Sequence, residues 1–115
     1  MNAAKVPDFL RRAATLIEQR GWIQGVSTHT KSGSVDLTGA IALAFGVPEE
    51  HLSENMDEMA YRAPGARYAH LLAAYDFIEG FVHEYPPDYN DNVGRTEGQV
   101  LKMLRDAAAE LEATI

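Results

Sequence analysis

The chain is 115 residues long, carries a formal charge of −7 and contains no cysteine. That length suits one hydrophobic core that holds without covalent staples. The missing thiols exclude disulfides, thiolate zinc sites and cysteine nucleophiles. Five basic residues face two acidic ones up to position 35, against five facing fifteen beyond it. So acidic a surface repels phosphate backbones, and no nucleic-acid partner is expected. Residues 1–7 lack the apolar run of a signal peptide. The run at 39–47 falls far short of the ~20 apolar residues of a membrane span. The expectation is a soluble cytoplasmic protein with no membrane partner.

Pro7 and Asp8 suit the first turn of a helix, proline because no donor is needed there and aspartate because the dipole is positive. Phe9, Ala13, Leu16, Ile17 and Arg20 share one side of it, and Gly21 ends it. Trp22 follows as an extended or turning segment and is expected to pack under this helix, its indole N–H needing one acceptor. Residues 27–34 are polar and contain glycine, so they form a loop. Val26-Ser27-Thr28 and Ser34-Val35 could pair across it as a small two-stranded hairpin near residues 26–35.

Asp36 is a good N-cap for a second helix over 37–45, ended by Gly46 and Pro48. Its residues are apolar almost all round, which places it in the middle of the domain. Residues 49–58 hold five acids and no lysine or arginine, and predict one or two short exposed helical turns capped near Pro48 and Ser53. The longest helix is expected over 66–84. There Tyr68, Leu71, Tyr75, Ile78, Val82 and Tyr85 alternate at three and four residues, the spacing of a heptad seam. Pro86-Pro87 stops it. A polar loop follows, and Thr96 with Gln99 then form a capping box for the last helix. Val100, Leu104, Ala107, Leu111 and Ile115 make its buried stripe. The fold class is mainly α: a compact bundle of about four helices plus short helical turns, in a single helical domain over 1–115.

Candidate chemistry is sparse. Asp88, Asn90 and Asn92 match positions 1, 3 and 5 of a calcium-binding EF-hand loop. Val93 then stands where glycine must turn, and Gln99 where a bidentate glutamate must clamp. Turn and capping hydrogen bonds explain these residues more simply. No two histidines share the i, i+4 spacing of a zinc ledge, and no cofactor is implied. Glu79 and His83 share a helix face, where an exposed contact is commoner than an acid/base pair. Arg95 stands beside a glycine turn and just before a helix. Either it fixes that turn through loop carbonyls, or it contacts an anion at the helix N-terminus.

Residues 10–25 (L-R-R-A-A-T-L-I-E-Q-R-G-W-I-Q-G), the Thr38-Gly39-Ala40-Ile41 stretch and residues 89–101 (Y-N-D-N-V-G-R-T-E-G-Q-V-L) together resemble a family of small domains of unknown function from actinobacteria and their phages. The last stretch is similar to that family's signature W-N-D-x-P-G-R-T-x-x-E-V-L. Asn90, Asp91, Gly94, Arg95, Thr96, Val100 and Leu101 match, while Tyr89, Val93 and Gln99 replace tryptophan, proline and glutamate. The resemblance implies a fold and a signature but no activity.

The functional expectation is a small non-enzymatic accessory or regulatory protein, encoded by an actinobacterial phage or its host. It would bind a host or self protein through its acidic surface. Self-association as a homodimer would use the helix that carries Tyr68 and Tyr85. The competing expectation is a small-ligand-binding protein or enzyme. Its pocket would lie between Trp22, Gln24 and the Tyr89, Asn90, Asp91 and Arg95 loop.

Overall fold

A computed structural model describes residues 5–26 and 33–114. Among the described residues six α-helices and a 3₁₀ turn follow in chain order. They are α1 (Val6–Arg20), α2 (Leu37–Ala44), the turn Glu49–His51, α3 (Met56–Tyr61), α4 (Tyr68–Val82), α5 (Pro86–Asp91) and α6 (Glu97–Thr114). α1 lies between α2 and α6, while α3 packs on α4 and the short α5 bridges α2 and α4. Among the described residues none of these helices is long and apolar enough to cross a membrane.

The centre belongs to α2, where every residue but Leu43 is buried. Its start follows from Asp36, whose carboxylate accepts the Gly39 N–H at 2.7 Å and so satisfies one of the donors a helix start leaves open. Gly39, Ala40, Ala42 and Ala44 keep its surface low, which lets α1 approach closely. Around it the core closes with Leu10, Ile17, Leu71, Ile78, Val100 and Leu104, all fully buried. At its far end Phe45 stacks on Phe9 at 4.6 Å, and Arg67 spans the pair, donating to the Phe45 carbonyl at 3.0 Å.

Several sequence expectations need correction. The prolines after α4 do more than stop it: Pro86 and Pro87 occupy the first turn of α5, where a missing N–H costs nothing. Residues 86–91, read as the start of a loop, are therefore helical. α4 ends earlier, at Val82, on a left-handed His83 with φ 58° whose N–H returns to the Glu79 carbonyl. The longest helix among the described residues is α6, with 18 residues against 15 for α4. α3 is capped by Asn55, whose side chain accepts the Glu58 N–H at 3.0 Å, and not by Ser53.

Most of the expected hairpin, residues 27–32, lies outside the described residues. Val35 pairs with the stretch just after α1 in one isolated parallel bridge to Trp22, its N–H bound to the Gly21 carbonyl and its own carbonyl receiving the Ile23 N–H. There is no strand among the described residues. The capping box is present in both directions: Thr96 Oγ1 accepts the Gln99 N–H at 3.2 Å and Gln99 Oε1 accepts the Thr96 N–H at 3.0 Å.

The α4 seam divides by burial. Leu71, Tyr75 and Ile78 face the core, and the Tyr75 hydroxyl donates to the Thr38 carbonyl at 2.9 Å. Val82 is half-buried, and the end residues Tyr68 and Tyr85 are exposed. A second copy approaching along this seam would meet those two tyrosines and not the apolar centre.

Truncating Leu104 on α6 to alanine leaves a cavity against α1 and is expected to cost about 2–5 kcal/mol of unfolding free energy. The half-buried neighbour Leu101→Ala is expected to cost clearly less. Urea unfolding of both variants measures the difference.

Candidate functional site

Asn90 is the polar residue at the heart of the molecule, fully buried on α5. Its amide oxygen accepts two donors, Trp22 Nε1 at 2.6 Å and the Leu37 N–H at 3.0 Å. Its amide nitrogen donates twice, to the Ile23 carbonyl at 3.1 Å and to Asp91 Oδ1 at 2.8 Å. Four bonds are the full capacity of a carboxamide. They also fix which way the amide points, because a flip would set its NH₂ against the Trp22 and Leu37 donors and its oxygen against the Ile23 carbonyl.

The neighbours extend the same seam. Gln24 Nε2 donates to the carbonyls of Asn90 and Asn92, each at 3.0 Å. Asp91 Oδ1 also accepts the Gly25 N–H at 2.9 Å. Asn92 donates to both carboxylate oxygens of Glu84, at 3.2 and 2.9 Å, which ties the end of α5 back to the end of α4. Thus Trp22, Gln24, Asn90 and Asp91 are brought together as the sequence expectation placed them. They bond to one another as links of one seam.

Arg95 lies apart from that seam. Its Nε donates to the Tyr89 carbonyl at 3.0 Å, and its guanidinium sits 3.8 Å above the Tyr89 ring. This is the turn-fixing role, strengthened by attraction between a cation and an aromatic face. Burial pushes the Tyr89 phenol up, and the nearby Arg95 charge partly offsets that. Arg95 and Tyr89 line a shallow concavity with Phe81, Val82 and Met103, whereas Asp91 lines a different cavity.

That second cavity, ≈ 200 Å³, is lined by Asp36, Thr38, Glu54, Tyr85 and Asp91 among others. Asp36 is 7% exposed. Burial raises its carboxyl to about 6, against the lowering effect of the Gly39 N–H and the Thr38 hydroxyl, with Asp91 adding to the rise. Next to it runs a wider trough of ≈ 600 Å³, walled by Glu54, Asp57 and Glu58 on one side, Asp76 and Glu79 of α4 on the other, and Tyr85. None of these five carboxylates forms an ion pair among the described residues. Glu49, in contrast, is paired with Arg20.

The acid run at 49–58 was visible in the sequence, but its extension was not. Glu79 reads only as a neighbour of His83, and only the packing of α3 on α4 sets it and Asp76 opposite Glu54, Asp57 and Glu58. No local signal carries that pairing. Asp36 was legible as a cap, though not as a wall of a cavity shared with Asp91.

The fold and the seam together define a compact, mainly helical protein in which a buried asparagine fastens the helices. The chain belongs to a family of unknown function (DUF6197), whose model matches residues 1–110. No curated protein and no solved structure matches it.

Asn90→Ala would strip partners from the Trp22 indole, the Leu37 amide and the Ile23 carbonyl. Each buried polar group left bare costs about 1–3 kcal/mol, so the loss should exceed about 3 kcal/mol in total. Arg95→Ala gives up one carbonyl bond and one ring contact and should cost about 1–2 kcal/mol. Denaturant unfolding followed by Trp22 fluorescence ranks the two. Equal losses would contradict the central place given to Asn90.

Proposed function

We propose that this protein is a small non-enzymatic accessory domain that binds a basic segment of another protein in the acidic trough between α3 and α4. The observation that carries this reading is the set of five carboxylates, Glu54, Asp57, Glu58, Asp76 and Glu79, that share one trough without an ion pair among the described residues. Like charges held together raise the energy of the free protein, and a partner bearing lysine or arginine relieves it. Tyr85 within the trough is 48% exposed, and Tyr61 beside it is 73% exposed and stacked on Tyr68 at 4.8 Å. Such rings supply flat contact area and cation-binding faces at little entropic cost.

A second copy of this chain is a poorer occupant, since it would bring the same negative trough. A small-ligand or enzymatic reading of the residue 89–95 loop has less support, because the Asn90 carboxamide and the Gln24 amide nitrogen are engaged by their own chain. The likeness of residues 89–101 to the actinobacterial and actinophage signature supports a source in those organisms.

The test is titration with a synthetic lysine- and arginine-rich peptide, followed by amide chemical shifts. Shifts are expected at residues 53–58 and 76–85, fading as salt is raised. The triple variant E54K/D57K/E58K should weaken binding by about tenfold or more. E110K, away from the trough and outside the ion pairs, serves as control. Unchanged affinity in the triple variant would sink the proposal.

A further inference from the structure

Asp36 is buried where a charge has few friends. Its own helix supplies the Gly39 N–H at 2.7 Å and a Thr38 hydroxyl shared between both oxygens at 3.2 and 3.3 Å. Three of the segments around its cavity add an acid or a phenol, while the 22–26 segment brings only Gly25 and Val26. Asp91 faces it from α5, Glu54 from the turn before α3, and Tyr85 from the stretch after α4. On α4, the Tyr75 phenol is raised well above its ordinary value by burial, and next by the charge of Asp36. Among the described residues no lysine, arginine or histidine bonds or pairs with Asp36.

This carboxyl is also wired to the Asn90 seam. The residue after it, Leu37, gives its N–H to Asn90 Oδ1. The acid opposite, Asp91, holds both the Gly25 N–H and the Asn90 amide. Ionising Asp36 places two negative charges across one small cavity, and the repulsion acts on the residue that fastens the 22–25 segment to α5.

We propose that Asp36 is a proton-operated lock on this seam: protonated, it lets the 22–25 segment, α2 and α5 close tightly, and ionised, it loosens them. The direction follows from linkage. The folded carboxyl lies at about 6 against 3.8 for an unperturbed one, so between those values the folded state holds a proton that the unfolded state has lost. Stability from this group is therefore greatest at the acid end of that window and falls as pH rises towards 6. Above that both states are ionised and the penalty is constant. Most carboxylates that are bonded in the native state act in the opposite sense.

The experiment follows three signals from pH 4 to 8: the Asp36 carboxyl carbon by NMR, Trp22 emission, and hydrogen exchange at the Gly25 and Leu37 amides. In the wild type all three should share one midpoint near 6. Exchange at the two amides should rise through it by more than the tenfold per pH unit that base catalysis alone gives. Asp36→Asn keeps the cap acceptor and should hold Trp22 in its acid-side state throughout, with no midpoint. Asp91→Asn preserves the acceptor for Gly25 and Asn90 while removing the opposing charge, so it should shift the Asp36 and Trp22 midpoints together to lower pH. That second variant decides the matter if Asn at 36 fails to fold. The proposal is overturned if the Asp36 carbon titrates with no matching change in Trp22 or in amide exchange. It is equally overturned if the Trp22 midpoint survives Asp36→Asn or is unmoved by Asp91→Asn.

Discussion

A carboxamide taken fully out of water must find four hydrogen bonds, and the architecture depends on how Asn90 finds them. Two donors come from separate segments, the indole of Trp22 and the first amide of α2. One acceptor comes from the Ile23 backbone and the last from its own neighbour, Asp91. These requirements cannot be met unless the end of α1, the start of α2 and α5 converge on one point. Hydrophobic burial drives the helices together without much directional preference. The amide supplies the direction, because a displacement of any one segment leaves buried polar atoms bare.

The same corner carries a second, opposed constraint. Asp36 gives α2 its cap and is at the same time a buried carboxylate facing another acid. An asparagine would cap nearly as well and would not ionise. The residue present therefore contributes order to the helix start and repulsion to the cavity behind it. Groups held at such an electrostatic cost cluster at functional and strained sites.

How much of this was legible in the sequence varies with the range of the interaction. α1, α2 and the start of α6 were readable because proline, aspartate, glycine and the Thr96 and Gln99 pair act within a few residues of themselves. α5 was missed because two consecutive prolines read as a stop, although the same missing N–H groups suit a first turn. The 3–4 spacing that runs from Tyr68 to Val82 identified the buried centre of that stripe, Leu71, Tyr75 and Ile78, but not its exposed start at Tyr68. Spacing cannot say whether the partner of a stripe is another molecule or α2 of the same one. The group Trp22, Gln24, Asn90 and Asp91 was singled out together, yet its bonds join residues some 66–68 positions apart. Only the packed helices bring those residues within reach, so the sequence pointed to the residues and left their partners open.

The ion pairs have a distribution of their own. Arg11, Arg20, Lys102 and Arg105, each paired with an acid, all lie on α1 or α6, while the unpaired acids of the trough lie before α3, on it or on α4. Charge is thus largely compensated within these pairs on α1 and α6 and left uncompensated in the trough between α3 and α4. A positively charged body diffusing nearby feels a torque before it makes any contact. For a basic partner of the kind proposed, this would turn the α3–α4 side to the front and make collisions productive more often than random orientation would allow. That advantage belongs to the encounter and not to the bound state, so added salt would slow arrival far more than it would hasten departure.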